Sequence, residues 1–186
     1  MMGMIGTITR RLRRNRDKPY SILTDSQKIC VVIVDMQEYF LEKLAYDERC
    51  FIIGNQKKVL RWCAEKDIPV IALEYRCRGK TIKELSDSFY VINRVESIIK
   101  SDDNGFSWTR LNRLLYVWGV EELFLMGINA SACVKRTARG AVRRRYRIVT
   151  SLNLIADPSS YEESKSGCWY KQNGILLDDH LKDIGL

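Results

Sequence analysis

With 186 residues, of which 46% are hydrophobic and 29% charged, the chain is long enough for one substantial core and short for two. Three prolines, eleven glycines and no repetitive tract exclude fibrous and repeat architectures, and no apolar run approaches the roughly 20 residues that cross a bilayer. The net charge of +8 is uneven: Arg10, Arg11, Arg13, Arg14, Arg16 and Lys18 stand against Asp17 alone, leaving +3 for everything after residue 18.

Residues 1–20 therefore read as a basic, flexible N-terminal arm, and residues 21–186 as the folded domain. The arm lacks the apolar segment of a secretory signal. The six cysteines contain no Cys-x-x-Cys pair and several lie in apolar stretches, so a reducing, cytoplasmic setting is expected. A charge excess confined to an arm is weak ground for nucleic-acid binding, and no nucleic-acid partner is expected.

In chain order, CVVIV at 30–34 is a continuous β-branched run ending at Asp35, the pattern of a parallel strand covered on both faces. Ile52, Val59, Leu60 and Cys63 then share one helical face. IPVIAL at 68–73 predicts a second strand. Leu111, Leu114, Leu115 and Trp118 form an amphipathic stripe that Gly119 can cap. LFLM at 123–126 predicts a third strand, and Val134, Thr137, Ala138, Ala141 and Val142 give another inward helical face. YRIVTSLNL at 146–154 is a weaker fourth strand. Alternating strands and helices predict a three-layer α-β-α, Rossmann-like domain with a mostly parallel central sheet.

Parallel sheets bind ligands beyond the carboxyl ends of their strands. Asp35 follows the first strand, Glu74, Tyr75 and Arg76 follow the second, and 127–133 follows LFLM and leads into a helix. Taken singly, these residues are unremarkable. Asp35 reads as a turn residue, Cys133 as core and Lys100 as a surface lysine.

Together, VVIVDMQEYF, IIKSDDNGF and LFLMGINASACVKRTARGA resemble the isochorismatase-like cysteine hydrolases in order and spacing, over residues 29–157. The resemblance implies a Cys133 nucleophile, Asp35 as its general base and Lys100 beside them. It implies an oxyanion hole from the backbone N–H groups of Asn129 and Cys133, with a cis peptide between Ile128 and Asn129. Cys133 near a helix start, with Lys100 close by, is expected to be stabilised as a thiolate.

Departures from the family narrow the chemistry. Nicotinamidase-like members carry metal-binding histidines after the catalytic aspartate, whereas the single histidine here is His180. No metal and no cofactor are expected. Members that cleave isochorismate often lack the cysteine. The expected activity is therefore metal-independent hydrolysis of a small amide, ureido or carbamoyl C–N bond through a thioester. The alternatives are isochorismatase-type hydrolysis of a different small substrate, or a non-catalytic scaffold that uses its basic segments.

For the substrate pocket, Phe40, Tyr75, Phe106 and Trp108 are candidates for an apolar wall, and Arg76 and Arg78 for holding a carboxylate. Gln37 belongs to the motif and is expected to position loops around Asp35, with substrate contact secondary. A homo-oligomer is expected, with Trp169 and Tyr170 suited to an interface, and no membrane partner is expected.

Overall fold

The β-branched run after Lys28 forms β1 (Ile29–Val34), buried at every position as a central parallel strand must be. The computed structural model describes residues 28–158, 169, 170, 172 and 175–177. The basic arm, Cys168 and His180 lie outside the described residues. After β1 come α1 (Glu38–Leu41) and the crossover helix α2 (Tyr46–Lys66), whose buried face includes Ile52, Val59, Leu60 and Cys63 as the spacing predicts. The chain continues through β2 (Val70–Tyr75), α3 (Lys83–Ser86), a 3-10 turn (Asp87–Val91) and β3 (Val95–Lys100). Then come α4 (Leu111–Val117), β4 (Glu122–Ile128), a π-helical turn (Ala130–Val134) and α5 (Lys135–Arg143). Last are β5 (Arg147–Ser151), β6 (Ile155–Ala156) and β7 (Ile175–Leu177).

The strands form one sheet in the order β3-β2-β1-β4-β5-β7, with β6 paired to β4, and every pairing is parallel. Side chains of Ile29, Val31 and Ile33 join the core that includes the α2 face, while Cys30, Val32 and Val34 join the core of α4 and α5. The two-residue period of β1 thus feeds both layers. Burying a side chain such as Leu111 or Leu115 of α4 on this second face contributes about 1.5–3 kcal/mol.

Three sequence expectations need adjusting. The strand expected over 146–154 is interrupted by a turn and becomes β5 and β6, because Leu154 donates its N–H to Ser151 and the chain re-enters the sheet beside β4. Val142, placed on the inward face of α5, is 41% exposed, while its neighbours Gly140 and Ala141 take the buried face. β3 escapes the continuous-run criterion because it lies at the sheet edge, and its exposed Ser97 and Ile99 alternate with buried Ile98 and Lys100.

β1 is the topological switch point. The chain moves from it through β2 to β3 on one side, then returns to β4 on the other. The carboxyl ends of β1 and β4 therefore open a crevice between outgoing and returning halves. Their approach there is close: Gly127 pairs with Val34, and a Cβ on Gly127 would overlap the Val34 carbonyl oxygen. Gly127 also has φ 148°, so glycine is required on both counts.

Candidate active site

Asp35 is placed by a backbone reversal. Continued alternation along β1 would send its side chain to the α2 layer with Ile33. Instead φ at Asp35 is 55°, in the left-handed region, and the carboxylate turns to meet Lys100. The strained residue is held at both ends: its N–H donates to the Leu73 carbonyl, and its own carbonyl accepts from Gln37 N–H.

Gln37 ties the end of β1 to the loop after β2. Its Nε2 donates to the carbonyls of Tyr75 and Gly79 at 3.0 and 2.6 Å, and its Oε1 accepts from Tyr75 N–H at 2.7 Å. Both amide hydrogens and the oxygen are thus engaged by the backbone after β2. Glu74 adds a second tie that the sequence reading did not assign, accepting from the Thr81 N–H and hydroxyl at 2.8 and 3.0 Å.

Lys100 arrives from β3 through register. Tyr75 pairs with Lys100 while Val34 pairs with Leu73, so β2 and β3 extend two residues beyond the end of β1. Lys100 shares a face with Ile98, whose core also contains Cys133. Its ammonium lies 2.8 Å from Asp35 Oδ2, 3.3 Å from the Asp102 carbonyl and 4.4 Å from the centre of the Tyr75 ring. Both ion-pair side chains are fully buried.

Cys133 arrives from the π-helical turn, in which Val134 N–H donates to the Asn129 carbonyl five residues back. The widened turn is anchored by Asp157, which accepts from the Ser131 N–H and hydroxyl, and by Tyr170, whose hydroxyl donates to the Ala130 carbonyl at 2.7 Å. The Cys133 thiol donates to Asp103 Oδ1 at 3.5 Å and stands within reach of Asp35. Asp103, from the loop after β3, also accepts from Arg136 at 2.5 Å. No sequence signal singled out Asp103, since its approach to Cys133 depends on loop conformation.

The charges set the protonation states. Burial is the largest influence on Asp35 and raises its pKa, against the Lys100 charge and contacts with the ammonium and the thiol. The approach of these donors is oblique, so neither Asp35 oxygen has a well-directed hydrogen bond among the described residues. Burial, and then the Asp35 charge, push Cys133 far above the ordinary thiol range, with Lys100 opposing them. Burial and the carboxylates of Asp35 and Asp103 thus oppose the thiolate that the helix start was expected to favour.

Other expectations fare unevenly. No cis peptide occurs among the described residues, so the expected cis bond between Ile128 and Asn129 is corrected to trans. The turn is made instead by Asn129 in the left-handed conformation, φ 61° and ψ 54°, which a short polar side chain tolerates. Phe40 and Tyr75 do adjoin, with ring centres 6.1 Å apart, beside Lys100. Phe106 does not join them: it is buried against Tyr146 and Arg144 near the far end of α5. Trp108 is 95% exposed and forms no wall. Arg76 is exposed, and Arg78 lies over the Tyr39 ring at 3.9 Å. Tyr170, suggested for an interface, is fully buried, and Trp169 is half-buried near Lys135 and Arg139.

The model of the isochorismatase domain matches residues 29–167. The chain belongs to the isochorismatase family. Similar solved structures share its fold at low identity. An N-carbamoylsarcosine amidase from Thermoplasma acidophilum is 22% identical with a TM-score of 0.69, covering 82% of this chain and 98% of its own. A ribonuclease from Caenorhabditis elegans is 19% identical with a TM-score of 0.75, covering 87% and 82%. A cysteine hydrolase from Pseudomonas syringae pv. phaseolicola is 17% identical with a TM-score of 0.74, covering 87% and 94%. No curated protein matches the chain. Among the described residues of this isochorismatase-family chain, no helix is long and apolar enough to cross a membrane, and no three His, Cys, Asp or Glu side chains are grouped to hold a metal ion.

Proposed function

We propose that this isochorismatase-family chain is a cysteine hydrolase of a small amide, ureido or carbamoyl compound, with Cys133 as nucleophile, Asp35 as proton carrier and Lys100 as the charge that holds Asp35. The observation that carries this reading is the gathering of the three groups, from the ends of β1 and β3 and the start of the α5 segment, into one buried cluster.

Burial and the Asp35 charge favour the protonated thiol, so the proposed attack removes its proton in the same step. Asp35 accepts that proton while sulfur bonds to the carbonyl carbon. Collapse of the tetrahedral oxyanion breaks the C–N bond, and the departing nitrogen takes the proton from Asp35. Water then gives a proton to Asp35 as its oxygen adds to the thioester, the C–S bond breaks, and sulfur recovers the proton. The raised pKa of Asp35 suits both directions of transfer. Lys100 keeps a positive charge beside the carboxylate throughout. Backbone N–H groups of Asn129 and Cys133 are the proposed oxyanion donors, a role that commonly contributes about 3–4 kcal/mol. The match to the family and the likeness to an amidase and a cysteine hydrolase support the same class.

Cys133→Ala tests the reading. Turnover of a carboxamide or ureide found by screening the purified protein should fall by at least about a thousandfold with the fold intact; full activity in that variant would remove Cys133 as nucleophile.

A second reading is action on nucleic acid, drawn from the likeness to the nematode ribonuclease. Filter binding of a labelled single-stranded RNA at low and high salt, with gel analysis of the RNA, separates the two. RNA cleavage that survives Cys133→Ala would favour the second.

A further inference from the structure

The site has a third charged group at the thiol, Asp103, that the proposed chemistry does not use. Cys133, Arg136 and Thr137 lie at i, i+3 and i+4, so helical spacing presents thiol, guanidinium and hydroxyl on one side. All three engage the loop after Lys100: the thiol donates to Asp103 Oδ1 at 3.5 Å, Arg136 Nη1 donates to Oδ2 at 2.5 Å, and the Thr137 hydroxyl lies 3.4 Å from the Asp103 carbonyl. Thr137 also accepts from Gly105 N–H at 2.9 Å, and a Cβ on Gly105 would overlap Leu73. The loop is therefore pinned between sheet and helix, with the Asp103 carboxylate set against sulfur.

Exposure is graded along this line. Asp35 and Lys100 are sealed, Cys133 is 4% exposed, and the side chains of Asp103 and Arg136 are 28% and 60% exposed. Of these groups the Asp103–Arg136 pair is the one that meets solvent. Arg136 holds Oδ2, which leaves Oδ1 as the oxygen at the sulfur. Arg78, one of the two arginines expected to hold a carboxylate, lies over the Tyr39 ring, and the side chain that accepts from the thiol is a carboxylate.

We propose that Asp103 is a specificity-determining residue. Its carboxylate admits small substrates that present N–H donors beside the carbonyl, such as a primary carboxamide or an unsubstituted ureide, and turns away substrates carrying a carboxylate there. A carboxylate accepts such N–H groups at little cost, whereas a second anion brought against Oδ1 is repelled. The inference rests on Cys133 being the reactive group.

Two near-isosteric thiol reagents test it without a known substrate. Iodoacetamide carries an N–H donor and iodoacetate a carboxylate. With either, sulfur displaces iodide and the thiol proton is lost to Asp35 and then to solvent. Labelling of Cys133 would be followed by peptide mass spectrometry at fixed pH and ionic strength, which separates it from exposed Cys50 and Cys77. In the intact protein the iodoacetamide-to-iodoacetate rate ratio at Cys133 should exceed the ratio for the same cysteine in the denatured chain by at least about tenfold. Asp103→Asn should lose most of that excess, and Arg136→Gln should increase it. A native ratio equal to the denatured one, or one unchanged by Asp103→Asn in a variant that melts like the parent, overturns the role of Asp103 while leaving Cys133 reactive. Labelling by neither reagent in the folded protein overturns the nucleophile and the selectivity together.

Discussion

Lys100 Nζ stands 2.8 Å from Asp35 Oδ2, with both side chains closed to solvent. Each charge is tolerable there because the other is present, so removing the lysine leaves a buried carboxylate without its counter-charge. Lys100→Met should cost about 3–5 kcal/mol in chemical denaturation at neutral pH. Part of that loss should return in acid, where Asp35 can accept a proton. A variant as stable as the parent would show that the pair is not buried in solution.

In the proposed mechanism Asp35 governs the acid side of the pH profile. Its pKa is raised, so catalysis that needs the carboxylate should fall as pH drops through a value above that of an ordinary aspartate. The stability effect has the matching sign: the folded state holds the proton more tightly than the unfolded chain, so the contribution is full below the ordinary aspartate pKa and is lost as pH rises through the raised one. The rate of Cys133 alkylation against pH, in the parent and in Asp35→Asn, checks the catalytic half. Suppressed alkylation in the variant at neutral pH is expected, and unchanged kinetics would remove Asp35 as base.

Gly127 carries a packing prediction. Alanine there would require a Cβ where the Val34 carbonyl oxygen already lies, at a φ unsuited to an L side chain. Gly127→Ala should lower stability by about 2–4 kcal/mol, as overpacking and backbone strain combine, and should disturb Asp35 because Val34 immediately precedes it. Thermal melting together with the Cys133 alkylation rate reads both effects.

Gln37→Leu should preserve bulk while leaving the Tyr75 N–H and two backbone carbonyls without their partner. A loss of about 1–3 kcal/mol is expected. Hydrogen exchange at Tyr75 should quicken, because the loop after β2 loses its tie.

Tyr170→Phe removes one hydrogen bond, to the Ala130 carbonyl at the start of the π-helical turn. A cost of about 1 kcal/mol is expected in denaturation. If the turn helps to orient Cys133, the thiol should also alkylate at a changed rate.

The α/β alternation, the helices on either side of the sheet and the cluster of Asp35, Lys100 and Cys133 were legible in the chain because each rests on a local pattern. A buried strand is a β-branched run, a crossover helix is a stripe, and the family motifs hold the three residues in order. β3 was harder, since an edge strand alternates instead of running apolar throughout. The fate of the aromatic candidates was not legible at all. Phe106 and Trp108 are two residues apart, yet one is buried beneath Arg144 and the other points into solvent, and Tyr170 closes onto Ala130 from 40 residues away.

Residue order alone was enough to give the parallel α/β fold and to single out Cys133 as the candidate nucleophile, because strand periodicity and motif spacing are written locally. The protonation of that thiol, the trans peptide before Asn129 and the placement of Asp103 against sulfur came from the folded arrangement. Desolvation and Coulomb interactions depend on distances between segments far apart in the chain, and no spacing along the sequence encodes them.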